Sequence, residues 1–247
     1  AVLIPRPETE LLIQEVVKDR GASRPGATIV DVGTGSGCLA ITLATILTHA
    51  RILAIDRSPD ALAVALSNAS AHRVKERIQW LQGDLLEPLR EQALGATADV
   101  ILSNPPYIAE AEWGHLQPEV RLFEPRMALV GGPTGTEFHE RLLEGSRAFL
   151  VPGGLLLMEV GQGQASGVRQ LAKRVGGYGD LTVVRDAARV VSGACAATTA
   201  STALTTSRIV SSPGGRTSAT PPPSPRCERT MPARLSACST FDRYALG

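Results

Sequence analysis

ATIVDVGTGSG, residues 27–37, decides how this chain is to be read. Thr28, Ile29, Val30 and Val32 make it a β-branched run, with the length and flanks of a strand buried on both faces, a pattern typical of parallel sheets covered by helices. Gly33, Gly35 and Gly37 then break the run. Glycines at such a point let the backbone turn sharply and let a ligand approach the main chain closely. Residues 38–47 resume as an apolar-faced helix.

Outward from this unit the pattern repeats in kind. RILAID (residues 51–56) reads as a second strand, Pro59 opens a helix to about Ala71, and RIQWLQGD (77–84) is a third strand. ADVILSN (98–104) is a fourth, stopped by Pro105 and Pro106. A long polar connection over residues 108–135 carries Trp113, Pro118, Phe123 and Pro125, and a loop of that length inside a compact domain is usually functional. Residues 136–150 read as a helix, GGLLLMEV (153–160) as a fifth strand, 164–175 as a helix and DLTVVRD (180–186) as a late strand. Toward the amino end, an extended VLIPRP (2–7) leads into a helix whose polar first turn is Glu8, Thr9 and Glu10. Leu11, Leu12, Val16 and Val17 recur there at helical spacing. Strands alternating with helices predict an α/β fold with a mostly parallel sheet and helices on both faces.

The charge balance divides the chain. Residues 1–188 carry 18 basic and 22 acidic side chains, whereas 189–247 carry 7 and 2. An acidic body argues against a nucleic-acid backbone as direct partner, because phosphate neutralisation needs a basic surface. From about Arg189 the chain turns to Ala, Ser, Thr, Pro and Gly with few large apolar residues, a composition expected to stay disordered. The reading is therefore one catalytic-type domain over 1–188 and a low-complexity tail over 189–247, with a reading-frame artefact in the tail as an alternative. Cys38, Cys195, Cys227 and Cys238 form no paired motif with each other or with a histidine, so no metal is expected and reduced thiols in a cytoplasmic compartment are the plain reading. No run is long and apolar enough for a membrane span.

Several residues carry chemistry. Asp31, two positions ahead of the glycines, suits a cation such as the amino group of a methionine moiety better than a diphosphate. The rival ligand is a dinucleotide, which prefers G-x-G-x-x-G with its pyrophosphate on the helix N-terminus; here the spacing is G-x-G-x-G through Gly33, Thr34, Gly35, Ser36 and Gly37. A ligand-free tight turn is the third reading. Asp56 ends the second strand about 20 residues on, where a carboxylate accepts ribose hydroxyls; helix capping is its alternative, with Ser58 an equally good cap. Asp84 and Leu85, after the third strand, suit an adenine amino group and ring, a weaker signal alone. The most specific motif is NPPY, Asn104, Pro105, Pro106 and Tyr107, at the carboxyl end of the fourth strand. Two prolines stiffen the turn, so the Asn104 side-chain oxygen and the Pro105 carbonyl hold defined directions. Two convergent acceptors match the two donors of an NH2 group. Binding both N–H bonds favours the pyramidal nitrogen of a transition state and needs no strong base. Tyr107 would cover a planar amide or base. A rigid strand-ending turn is the bland alternative. His49, His72, His115 and His139 read as solvated or capping, and Glu159, at a strand end near the ligand edge, is either a helper or a polar terminus.

With IPRPETE (4–10), DVGTGSG (31–37), SNPPY (103–107) and FEPRMAL (123–129) in this order, the chain resembles the HemK/PrmC family of release factor glutamine methyltransferases over residues 2–186. NPPY alone is shared with amine methyltransferases of nucleic acids, and the leading IPRPETE tilts the resemblance towards protein glutamine. The resemblance implies a class I fold with a seven-stranded sheet, S-adenosyl-L-methionine (AdoMet) against Gly33–Gly37, Asp56 and Leu85, and a substrate glutamine against Asn104–Tyr107. It places Arg6, Glu8 and Thr9 beside the cofactor and active-site loop. It further implies methyl transfer to the glutamine of the Gly-Gly-Gln motif of a peptide chain release factor and a monomeric enzyme, with the family's N-terminal helical docking domain expected to be absent from this chain, which starts just after where that domain would end. The rivals are a nucleic-acid exocyclic-amine (adenine N6 type) methyltransferase and a truncated, inactive AdoMet-binding chain.

Overall fold

The computed structural model describes residues 2–6, 9–184, 194–198 and 206–212. After helix α1 (Glu10–Lys18) come β1 (Thr28–Val32), α2 (Cys38–Ile46), β2 (Arg51–Asp56), α3 (Pro59–Ala71) and β3 (Ile78–Gln82). They are followed by α4 (Glu87–Glu91) and β4 (Ala98–Ser103), then a short insert holding β5 (Ile108–Ala109), α5 (Pro118–Phe123), α6 (Arg126–Leu129) and β6 (Val130–Gly132). The chain continues with α7 (Glu137–Ser146), β7 (Leu150–Gly161), α8 (Ala165–Val175), β8 (Asp180–Val184), β9 (Ala194–Thr198) and β10 (Thr206–Ser212).

The main sheet has the order β10-β8-β9-β7-β4-β1-β2-β3. Its five central and right-hand strands pair parallel, and among the described residues only the pairings of β9 in this sheet are antiparallel. Among the described residues the main sheet has eight strands where seven were expected, because the late part of the chain supplies three at one edge. Two of these, β9 and β10, fall within the 189–247 segment whose composition suggested disorder. Strand pairing uses backbone groups, to which composition is blind. The remainder of that segment, with Cys227 and Cys238, lies outside the described residues, as do Glu8 and the end of DLTVVRD.

Strand side chains alternate between two cores, the period-2 consequence of the pleat. Ile29, Ile52, Ala54, Val100, Leu102, Leu155 and Leu157 pack on one face under α1 and α2. Val30, Val32, Leu53, Ile55, Ile101, Leu156 and Met158 pack on the other under α4, α7 and α8. Helix α1 buries Leu12, Ile13 and Val16, while Val17, expected inside, is turned outward. The polar connection 108–135 is not an open loop: it folds into two short helices and a two-stranded parallel ribbon, β5 with β6. Among the described residues no helix is long and apolar enough to cross a membrane, and no group of three His, Cys, Asp or Glu side chains could hold a metal ion.

Candidate active site

The chain leaves β1 to build β2 and β3 on one side, and returns to build β4 and β7 on the other. At such a reversal the loops diverge and open a crevice at the carboxyl ends of the strands. Val32 pairs in register with Ser103, and the Ser103 Oγ donates to the Val32 carbonyl at 2.7 Å. Gly33 and Asn104, the next residue of each strand, therefore start side by side. A cleft of roughly 1050 Å3, counting its open mouth, lies between them. Its floor is the glycine loop, its walls are Asp56–Ser58, Gly83–Leu85 and Ser103–Pro106, and residues of the 2–9 and 125–128 segments roof it.

The glycines divide their work. Gly33, Gly35 and Gly37 all have positive φ, at 73°, 56° and 81°. A Cβ on Gly33 would meet nothing within 4 Å, so the space beside it is the cleft itself. A Cβ on Gly37 would come within 3.1 Å of the Ala65 Cβ, so that glycine serves the packing of α2 on α3 and does not line the cleft. Thr34 and Ser36 line it. Asp31 lies beneath the loop, fully buried and off the cleft wall. Its Oδ2 accepts from the Thr34 hydroxyl at 2.6 Å and the Ala40 N–H at 3.2 Å, which ties the loop to α2. Its Oδ1 has no hydrogen-bond partner, and desolvation pushes the carboxyl up to about 7.

Asp56 lines the cleft, with the Gly35 N–H on Oδ2 and the Ser58 N–H on Oδ1, each at 2.9 Å. Ser58, not Asp56, caps α3 by accepting from the Ala61 N–H at 3.2 Å. Each Asp56 oxygen retains accepting capacity, which is what a pair of ribose hydroxyls requires. Asp84 lines the same wall with its Oδ2 paired to Arg141 at 2.6 Å, and Leu85 beside it adopts a left-handed φ of 51°. Asn104, Pro105 and Pro106 form the opposite wall. Tyr107 does not line the cleft: its hydroxyl donates to Glu159 Oε1 at 3.3 Å. Of the predicted set, then, Gly33–Ser36, Asp56, Asp84, Leu85 and Asn104–Pro106 converge on the cleft, while Asp31, Gly37 and Tyr107 stand behind it.

Other residues place the NPPY turn. Glu159, fully buried, accepts from the Thr9 hydroxyl at 3.0 Å, and Thr9 accepts from Asn104 Nδ2 at 3.2 Å. Gln164 donates to the Tyr107 carbonyl at 2.7 Å while accepting from the Gly161 N–H at 2.9 Å. Gly131 lies so close beneath the turn that a Cβ there would stand 2.5 Å from the Pro106 carbonyl oxygen. Arg6 pairs with the buried Glu124 at 2.6 Å, joining the two halves of the roof. His139 corrects the expectation of a solvated ring. It is fully buried on α7, one ring nitrogen 2.8 Å from the Glu159 carbonyl, and burial depresses its pKa to about 4. The signal was present, since His139, Leu142, Leu143 and Ser146 share one helical face and all are buried.

The model of the methyltransferase small domain matches residues 7–118, which hold the glycine loop, Asp56, Asp84 and the NPPY turn. The release factor glutamine methyltransferase of Chlorobaculum tepidum is 46% identical over 189 residues, covering 75% of this chain and 63% of that protein. The one from Geobacter sulfurreducens is 42% identical over 176 residues, covering 71% and 59%. In sequence the chain is similar to release factor glutamine methyltransferases over 71–75% of its own length. It spans less than two thirds of the length of these two proteins. Among solved structures, the catalytic domain of hMettl16 in complex with an RNA hairpin shares the fold with a TM-score of 0.64 at 17% identity, over 83% of this chain and 75% of that one. A methyltransferase from Pyrococcus furiosus does so with a TM-score of 0.57 at 17% identity, over 80% and 84%. The fold is thus the class I methyltransferase fold.

The residues present fit the AdoMet that such a fold uses. Asp56 offers carboxylate oxygens for a ribose, Leu85 an apolar surface for a ring, and the space beside Gly33 lets a ligand touch the main chain.

Proposed function

We propose that this chain transfers the methyl group of AdoMet to the side-chain amide nitrogen of a glutamine in a protein, the glutamine of the Gly-Gly-Gln motif of a peptide chain release factor. The observation that carries this reading is the position of Asn104 and Pro105 on the cleft wall directly across the paired strand ends from Gly33. The similarity to release factor glutamine methyltransferases supports the choice of a release factor as substrate.

AdoMet, when bound, supplies an electrophilic methyl on a sulfonium. Gly33–Ser36, Asp56, Asp84 and Leu85 would hold it. The task left to Asn104 and Pro105 is to make an amide nitrogen nucleophilic. Its lone pair is delocalised into the neighbouring carbonyl, and accepting its two N–H bonds at oriented oxygens favours the pyramidal geometry in which the lone pair is localised. The nitrogen would gain the methyl as the methyl–sulfur bond breaks and would shed one proton to water, giving N5-methylglutamine and S-adenosylhomocysteine. Fixing the nitrogen relative to the cofactor supplies much of the rate through alignment.

An acidic balance over residues 1–188 favours a protein over a nucleic acid as substrate. A monomeric, cytoplasmic enzyme is part of the same proposal, as is one catalytic domain over residues 1–188.

The test is methyl transfer from labelled AdoMet to purified release factor, with a Gln→Ala substitution in the Gly-Gly-Gln motif as control. Label on the wild-type factor and none on the control is the expected result. Equal labelling of both, or AdoMet binding without transfer to any glutamine, would overturn it.

A further inference from the structure

Glu159 and Thr9 lie 150 residues apart and meet behind Asn104. The register of the sheet explains how. Ser103 pairs with Met158, so Asn104 and Glu159 are the next residues of adjacent strands. Thr9, at the N-cap of α1, closes the gap between them: it donates to Glu159 Oε2 at 3.0 Å and lies 3.2 Å from Asn104 Nδ2. Tyr107 donates to the other Glu159 oxygen at 3.3 Å.

Count the protons in this chain of contacts. A carboxylate only accepts, and a threonine hydroxyl has a single proton to give. Because Thr9 spends that proton on Glu159, it can face Asn104 only as an acceptor. Asn104 must then present its NH2 to Thr9, which leaves Oδ1 directed away from Thr9. The Asn104 amide is nearly symmetric in shape, so packing alone would not choose between its two orientations. The choice decides the chemistry: an oxygen in the cleft binds a substrate N–H, whereas an NH2 there would repel it.

We infer that Glu159, acting through Thr9, is the positioning residue that sets the orientation of the Asn104 amide and so presents its oxygen to the reacting nitrogen. This rests on the glutamine-methylating reading above. Neither Glu159 nor Thr9 touches the substrate in this scheme. Glu159→Gln keeps the shape but adds a donor. The new NH2 can donate to Thr9, whose own proton is then released towards Asn104 and permits the amide to flip. Thr9→Val removes the relay outright, and Thr9→Ser retains it.

Two measurements test the inference. The first is hydrogen exchange of the Asn104 side-chain NH2 in the AdoMet-saturated protein, its resonance identified by its loss in Asn104→Ala. Exchange is expected to quicken at least about tenfold in Thr9→Val and to stay near wild type in Thr9→Ser, as a lost hydrogen bond predicts. The second is steady-state methyl transfer. Thr9→Val and Glu159→Gln are expected to lower kcat by about ten- to a hundredfold, the range for losing one oriented group at a reacting centre. The KM for the protein substrate and the Kd for AdoMet should change less than about threefold, and Thr9→Ser should recover most of the rate. Unchanged Asn104 exchange in Thr9→Val, or Thr9→Ser as slow as Thr9→Val, overturns the positioning role. If the wild-type chain methylates no glutamine, the proposed function fails by itself, and the exchange measurement still decides the orientation of Asn104.

Discussion

Gly131→Ala is the perturbation that asks most directly whether the NPPY turn must sit where it does. Gly131 is buried, and its backbone is not in the left-handed region, so alanine brings no torsional strain of its own. What it brings is a methyl 2.5 Å from the Pro106 carbonyl oxygen and 2.9 Å from that of Gly135. Side-chain Cβ atoms essentially never approach closer than 3.0 Å, so one backbone must retreat by about half an ångström at least, and by nearly one for an ordinary contact. Neither neighbour is the soft end of a side chain. The turn holds two consecutive prolines, and the 131–135 loop is pressed against its carbonyls. Overpacking of this kind costs about 1–3 kcal/mol. Displacing a positioning group by about 1 Å costs on the order of a hundredfold in rate. The expected result is a kcat for methyl transfer about ten- to a hundredfold below wild type, with AdoMet affinity kept within about threefold, because the glycine loop and Asp56 are untouched. Gly95→Ala is the control: its Cβ would meet nothing within 4 Å, and it should transfer at the wild-type rate. Isothermal titration, urea unfolding and single-turnover transfer separate the three quantities. A Gly131→Ala protein that transfers at full rate, or whose loss merely follows its loss of folded fraction, would refute the idea that this contact places the turn.

Asp56→Ala should weaken AdoMet binding by at least about tenfold, as expected for losing charge-assisted hydrogen bonds, and titration showing an unchanged Kd would remove Asp56 from the site. Arg6→Ala leaves the carboxylate of Glu124, 5% exposed, without its ion pair. Loosening of the roof should then appear as faster AdoMet dissociation in stopped flow, and an unchanged off-rate would count against a roof role. Two buried groups pull stability in opposite directions with pH. His139, depressed from 6.5 to about 4, is neutral when folded and protonated when unfolded between those values, so it makes stability rise with pH across that window. Asp31, raised from 3.8 to about 7, keeps its proton when folded, so its contribution is full below 3.8 and is lost as pH rises through 7. Each slope is about 1.4 kcal/mol per pH unit. His139→Gln should therefore expose a stability that falls with pH between 4 and 6.5, and Asp31→Asn one that rises. Parallel urea-unfolding profiles in the two variants would contradict both assignments.

Local sequence alone determined the parts of this protein whose chemistry is short-range. The buried strand, the glycine loop and the proline-stiffened turn are legible because steric limits on φ and the alternation of side chains act over a few residues. The place of Asp56 on the cleft wall was legible for a similar reason, since the residue that ends the strand after a glycine loop emerges at the same sheet edge. Tertiary structure decided everything that depends on which strands become neighbours. Asp31 looked like a ligand group from its place before the glycines, yet the pleat turns it under the loop, against Thr34 and Ala40. Tyr107 looked like a cover for the substrate, yet its hydroxyl reaches back to Glu159. Glu159 was legible only as a helper or a polar strand end, Thr9 only as a neighbour of the active-site loop, and Gln164 and Gly131 carried no mark, because their contacts arise only when sheet register sets β7 beside β4 and folds the insert under the turn. A hydrogen bond between residues 150 positions apart is a property of the closed sheet, and no window of sequence contains both of its ends.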